Sequence, residues 1–229
     1  MALYVLSDLH LAFGVNKPMD IFGGRWEGYQ NKIRDGLSVL QAEDTLVIPG
    51  DFCWALDLTQ AVEDFRFLNE FPGRKLFVKG NHDYWWNTAS KFTKFCQEHG
   101  FAEMYLLHNT SFDYGDYGLC GTRGWFFEED KEGTHDEKVF RRELIRLEAS
   151  LKAAGEKQKL CFLHYPPRYR GYTCPEILDL LKKYEVKACY YGHLHGDSHK
   201  LAIEGPCGGT DFHLVAADYV HFKPVKIAE

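Results

Sequence analysis

Five times along this chain a short apolar run ends in a cluster of polar residues that ordinary packing does not call for. The runs are Leu3 to Leu6, Thr45 to Pro49, Lys75 to Lys79, Leu160 to Leu163 and Lys187 to Tyr191. Their length, and the Gly, Pro and Asp residues that bound them, read as short buried strands. The clusters that follow are Asp8-Leu9-His10, Gly50-Asp51, Gly80-Asn81-His82-Asp83, His164-Tyr165-Pro166-Pro167 and Gly192-His193-Leu194-His195. In open α/β sheets the C-terminal strand ends line the crevice where ligands bind, so clusters far apart in sequence converge on one sheet edge.

The segments between the runs have helical periodicity. Trp26, Tyr29, Ile33, Leu37 and Leu40 share one face, as do Leu58, Ala61, Val62, Phe65 and Leu68, the latter started by Asp57 with Gln60 three residues on. Ser90 to His99, Glu137 to Leu151 and Pro175 to Tyr184 complete the helices, and proline suits the first turn of the last. Tyr117 to Gly121 and Phe212 to Lys226 read as strands with no intervening helix, which adds antiparallel members to a mixed sheet. The segment Gly124 to His135, with its acidic stretch Glu128 to Glu132, reads as a solvated loop. No repeat or linker interrupts the pattern. The expectation is one α/β domain over residues 1–229, strands sandwiched between helices.

Composition excludes several function classes. A net charge of −6 gives no electrostatic case for nucleic acid or a membrane surface as partner. Seven cysteines, an odd number without a Cys-x-x-Cys spacing, fit neither a disulfide framework nor a thiolate zinc site. No apolar stretch reaches the roughly 18 residues that span a bilayer, and Ala2 to Leu6 opens the chain without a basic leader. A reduced, cytoplasmic setting is expected.

The clusters supply two carboxylates, an amide oxygen and four imidazoles, with His82 and Asp83 left over. Each piece alone has an ordinary explanation: Asp51 as a turn cap, Asn81 as a turn residue, His164 bonded to backbone. Together they share equivalent strand ends, and all are oxygen or imidazole donors suited to Mn, Fe, Zn or Co. That is a ligand set for two adjacent divalent metal ions.

The order and spacing of these motifs resemble the calcineurin-like metallophosphoesterase superfamily over most of the chain. The segment Gly80 to Trp86, Gly-Asn-His-Asp-Tyr-Trp-Trp, is similar to that of a group of bacterial predicted phosphohydrolases. The resemblance implies a four-layer α/β/β/α sandwich of mixed sheets with two metals at the sheet edge. By it Asp8, His10 and His195 match the ligands of one ion, Asn81, His164 and His193 those of the other, and Asp51 the carboxylate that bridges both. His82 matches the histidine that faces the leaving group, and Asp83 the acid that supports it. The implied reaction is in-line attack on a phosphomonoester or phosphodiester by a hydroxide shared between the ions.

The surroundings carry weaker signals. Arg123 follows a strand and could reach a phosphate or simply pair with an acid. Trp54, Tyr84, Trp85 and Trp86 flank ligand positions as core, pocket wall or stacking surface. Phe13 to Gly24, with Asn16 and Lys17, reads as a lid or a plain loop. Arg123, Trp86 and Asn16 are the candidate substrate contacts. Protein serine/threonine phosphatases of the superfamily carry Gly-Asp-x-Val-Asp-Arg-Gly. Here Gly50-Asp51 continues as Phe52-Cys53-Trp54-Ala55, without the arginine and with an apolar wall, which points to a smaller or more apolar phosphoester. A nucleotide-type diester or pyrophosphate is the alternative substrate, and a non-catalytic scaffold of the same fold the alternative role.

Overall fold

Alternation of side chains within each strand dictates the layering. In the computed structural model, which describes residues 1–125 and 134–229, the strands of one sheet send odd and even positions into different cores. The chain runs β1 (Leu3–Val5), α1 (Tyr29–Leu37), β2 (Thr45–Pro49), α2 (Val62–Asn69), β3 (Arg74–Val78), α3 (Ala89–His99) and β4 (Met104–Leu106). It continues through β5 (Ser111–Tyr114), β6 (Tyr117–Thr122), α4 (Thr134–Ala153), β7 (Gln158–Leu163), a small hairpin of β8 (Arg168–Tyr169) and β9 (Tyr172–Thr173), and α5 (Pro175–Lys183). It ends with β10 (Val186–Tyr191), β11 (Gly205–Cys207), β12 (Thr210–Leu214) and β13 (Val225–Ala228).

Two mixed sheets result, one ordered β13-β1-β2-β3-β4 and the other β11-β12-β10-β7-β6-β5. In each the interior pairs are parallel, and the antiparallel members β13, β11 and β5 lie at the edges. Leu46 and Ile48 of β2 and Phe77 of β3 pack with α1, α2 and α3, whereas Val47, Leu76 and Val78 face the second sheet. Across that interface Leu160, Phe162, Ala188 and Tyr190 meet them, and Cys161, Leu163, Cys189 and Tyr191 turn outward onto α4 and α5. Three apolar cores separate four layers, the α/β/β/α sandwich that the resemblance implied.

Register brings the strand ends flush. Leu163, Tyr191 and Leu214 are partners in one row, as are Pro49 and Val78 in the other sheet. Beyond that row the two sheets are joined: Ser7 forms a parallel bridge with Ala216, its N–H bonding to the Val215 carbonyl at 3.0 Å and its carbonyl accepting from Ala217 N–H at 2.9 Å.

Two expectations need correction. The span Phe212 to Lys226 is not one strand; β12 stops at Leu214 and β13 starts at Val225, with a turn between in which His221 and Phe222 have φ of +55° and +59°. The turn carries Asp218, and it lets β13 return to pair with β1. The helix expected from Leu58 starts later, at Val62, although Asp57 Oδ1 does accept the Gln60 N–H at 2.9 Å. Of the segment Gly124 to His135, expected to be a loop, residues 126–133 lie outside those described, and Thr134 and His135 belong to α4.

Candidate metal centre

Local backbone explains why the donors converge. Asp8, His10, Asp51 and His193 all have positive φ, at +60°, +46°, +51° and +72°. The left-handed region costs an L-residue about 1–2 kcal/mol, and such strain persists only where the surroundings over-determine it. Here they do. The loops after β1 and β2 stay paired past the strands, with Asp8, His10 and Leu11 N–H groups each bonded at 3.0 Å to the Gly50, Asp51 and Phe52 carbonyls.

Buried Asp83 clamps the same loops. Its carboxylate accepts from the N–H groups of Gly80 at 2.7 Å, Asp51 and Phe52 at 2.9 Å each, and from the Trp85 indole at 2.9 Å. Close approach accounts for two motif glycines. A Cβ on Gly80 would lie 2.1 Å from Asp51 Oδ1, and one on Gly192 would lie 2.1 Å from Asp8 Oδ2. Those residues are small to leave room for carboxylates.

The donors form two adjoining groups. In one, Asp8, His10 and His195 offer atoms within 4.8 Å of one another; in the other, Asp8, Asp51 and His164 do the same. Asp51 Oδ2 stands between the groups, 3.7 Å from His10 Nε2 and 3.6 Å from His164 Nε2. Asn81 Oδ1 joins the second group at 2.6 Å from His164 Nε2. The His193 ring lies 5.1 Å from that of His164, while its N–H donates to the Asp8 carboxylate at 3.1 Å.

The donor chemistry fits a cation. His164 faces two acceptors, Asn81 Oδ1 at 2.6 Å and the Pro49 carbonyl at 3.2 Å. Either neutral tautomer therefore sets one ring lone pair against an oxygen lone pair. Double protonation is opposed, since burial drives the His164 pKa down to about 3. A positive ion on the Nε2 side would resolve the conflict, leaving Nδ1 to donate its proton to the Pro49 carbonyl. His195 is arranged likewise: its Nδ1 bonds Asp218 Oδ1 at 2.9 Å, leaving Nε2 to face His10 Nε2 at 3.3 Å and Asp8 Oδ1 at 3.4 Å. A carboxylate behind a ligating imidazole fixes its tautomer and raises its basicity.

Electrostatics point the same way. Burial alone would raise the Asp8 carboxyl, yet the facing imidazoles of His195, His164 and His10 hold it well below its usual range. Asp51 is pushed up, first by burial and then by Asp83 and Asp8. Burial would lower His195, but Asp8 and Asp218 outweigh it and lift the ring to about 10. The surplus carboxylate charge that draws a proton there draws a metal cation equally.

His82 belongs to neither group. Its ring is half-buried, 4.3 Å from Trp54 and 5.8 Å from His10, and its pKa is lowered by burial and then by Lys17. The Lys17 ammonium sits 3.5 Å from the Trp54 ring centre. The expectation that Asp83 orients His82 fails, because all its bonds run to backbone and to Trp85.

A cavity of about 600 Å³ opens beside His10, His82 and His195, walled by Trp26 and Trp54. None of the three expected substrate contacts lines it. Arg123 lies 3.9 Å from Glu143, with its guanidinium over Trp125, and its carbonyl accepts the His164 and Tyr165 N–H groups. Trp86 packs beside Trp85 and His108, and Asn16 is exposed while its neighbour Lys17 reaches the site. Their proximity in sequence to ligands, or to a strand end, does not survive the turns between. Sequence reasoning missed Trp26, whose edge meets the His10 and His195 rings, and Asp218. Asp218 had a usable signal: like the ligands, it closes an apolar run, Phe212 to Ala217.

The profile of the calcineurin-like phosphoesterase family matches residues 1–197, and the chain belongs to this family of metal-dependent phosphoester hydrolases. The fold is similar to that of a phosphopantetheinyl hydrolase from Mycobacterium tuberculosis, with TM-score 0.60 and 13% identity over 99% of this chain and 95% of that one. It is also similar to a protein from Thermus thermophilus (TM-score 0.54, 15% identity, 99% and 97% covered). A protein of unknown function from Aquifex aeolicus compares at TM-score 0.51 and 18% identity, with 98% and 95% covered. No curated protein matches the chain in sequence. Among the described residues no helix is long and apolar enough to cross a membrane.

Proposed function

We propose that the protein hydrolyses a small phosphomonoester or phosphodiester with two divalent ions, Mn, Fe, Zn or Co, one held by Asp8, His10 and His195 and the other by Asn81, His164 and His193. The observation that carries this reading is Asp51 Oδ2, within 3.7 Å of both His10 Nε2 and His164 Nε2, where a carboxylate shared by two ions belongs. Ions so held supply an activated water for in-line attack and positive charge for the phosphate oxygens.

The remaining work falls to the chain. Neutral imidazole ligands leave the centre a net positive charge for an anionic substrate, since Asp8 and Asp51 offset only part of it. His82 faces the cavity with a ring that is neutral at rest. The negative charge of a bound phosphoester opposes burial and Lys17, raises the affinity of the ring for a proton, and readies it to protonate the departing alkoxide. Asp83 holds the Gly80 and Asp51 turns, and so sets where His82 and the bridging carboxylate stand.

Chelator-treated protein should lose turnover of p-nitrophenyl phosphate and of its diester, and Mn²⁺ should restore it. Asp51→Asn should remove most of the restored rate. His82→Ala should slow alkyl esters by about 10²–10⁴-fold and nitrophenyl esters less, since a good leaving group needs no proton. Unchanged rates in both variants would overturn the proposal.

A further inference from the structure

The cavity beside the metal centre is built asymmetrically, and its asymmetry points to a substrate class. One side is the donor cluster with His82; the other is the segment Met19 to Trp26, two short 3₁₀ turns joined at Gly23. The segment is anchored rather than loose. Met19 and Trp26 are buried, Tyr29 donates to the His10 carbonyl at 3.0 Å, and Arg25 donates to the Asp218 carbonyl at 3.1 Å. Its tip is different: Ile21 and Phe22 are 75% and 67% exposed, and Phe22 stands in the cavity wall.

We infer that this cavity receives the alcohol half of the phosphoester and that the alcohol is apolar. The inference rests on the hydrolase reading above. His82 defines the side: in the reaction a water oxygen bonds to phosphorus, the bond from phosphorus to the alcohol oxygen breaks, and a proton passes to that oxygen. The group beyond that oxygen therefore lies on the His82 side, where the cavity is. Its walls are Met19, Phe22, Trp26 and Trp54.

Most polar side chains there are already committed; the exception, Asp197, is fully exposed with Lys200 3.9 Å away. Arg25 is engaged with Asp218 and with His199 at 3.4 Å, Asp218 with His195, and the Trp54 indole N–H is buried out of reach. Trp54 offers no open stacking face either, since His10 stacks on it at 4.9 Å and Lys17 caps it. A sugar or base seated there would leave its own polar groups unpaired, whereas alkyl carbons would cover Phe22 and the tryptophans.

The test uses the full-length Mn²⁺-loaded protein with n-hexyl phosphate and glycerol 3-phosphate, each also as its methyl diester. The glycerol alkoxide is the weaker base, so leaving-group basicity works against the expected order and a hexyl lead in kcat/KM reads recognition. The hexyl ester is expected to lead by at least about tenfold, each buried methylene contributing about fourfold. Calorimetric binding of hexylphosphonate against dihydroxypropylphosphonate should follow the same order. Phe22→Ala should pull the hexyl-to-glycerol ratio down about three- to tenfold, chiefly through KM, while Ile145→Ala, exposed on α4, should keep it. Turnover with no preference, or a ratio indifferent to Phe22→Ala, overturns this assignment alone. No turnover of any ester overturns the hydrolase reading and this assignment with it.

Discussion

Two buried acids outside the proposed ligand set hold the two halves of the candidate metal centre, and they do it by different means. Asp83, on the side of the first sheet, binds three backbone N–H groups and an indole, so it decides where the chain runs. Asp218, on the side of the second, bonds the His195 ring and the Gly196 N–H at 3.0 Å, with His199 Nε2 3.1 Å from its Oδ2, so it decides which ring nitrogen faces the centre. One acid builds the backbone of a site and the other tunes a ligand. A clamp on backbone should matter most to stability, and a clamp on a ligand most to the metal.

The sharpest break in that comparison would come from Asp83→Ala. It strands four buried donors, and metal-free protein should lose about 3–5 kcal/mol in urea unfolding with the denaturant slope unchanged. A loss below about 1 kcal/mol would mean that the turns hold without it. Asp218→Asn should instead weaken binding of one ion about 10–100-fold in chelator competition, with metal-free stability altered by about 1 kcal/mol or less. If both substitutions moved stability and affinity in equal measure, the distinction would be gone.

The dependence on pH separates the two acids by sign. Burial raises the Asp83 carboxyl from 3.8 to about 6, its four donors holding it from rising further. A carboxyl with a raised folded value contributes stability below the unfolded value and loses it as pH climbs through the folded one. Metal-free protein should therefore weaken from about pH 4 to 6 on account of Asp83. Asp218 goes the other way: burial would raise it, but the His195 bond and charge bring it below 3.8. Its contribution is present above about pH 4 and lost as pH falls further. Asp83→Asn should flatten the first slope and Asp218→Asn the second.

The unequal legibility of the two acids follows from the same physics. Asp83 sits inside a motif with Asn81 and His82, so its involvement was readable, although its partner was not: the tie to Asp51 spans 32 residues and exists only once β2 and β3 pair. The convergence of the seven proposed donors was readable because a strand end followed by Gly, Asp, Asn or His needs a reason, and five such ends reinforce each other. Three-core layering was readable from runs such as Leu46 to Ile48, apolar at every position as a strand covered on both faces must be. Trp26 and Phe22 were not readable as cavity wall. Their segment has no periodicity, and its place is set by Arg25 reaching a turn almost two hundred residues away. The turn at 215–224 was misread for a related reason, since no glycine or asparagine marks its left-handed residues.

The bridge between Ser7 and Ala216 has a mechanical consequence. It fastens one sheet to the other at the rim where the donors stand, so swinging the halves of the sandwich apart to admit a guest would break both of its hydrogen bonds. The segment Met19 to Trp26 lies outside that seam. A scaffold stitched in this way can exchange that strap, and with it the guest, while the spacing of its donors stays the same.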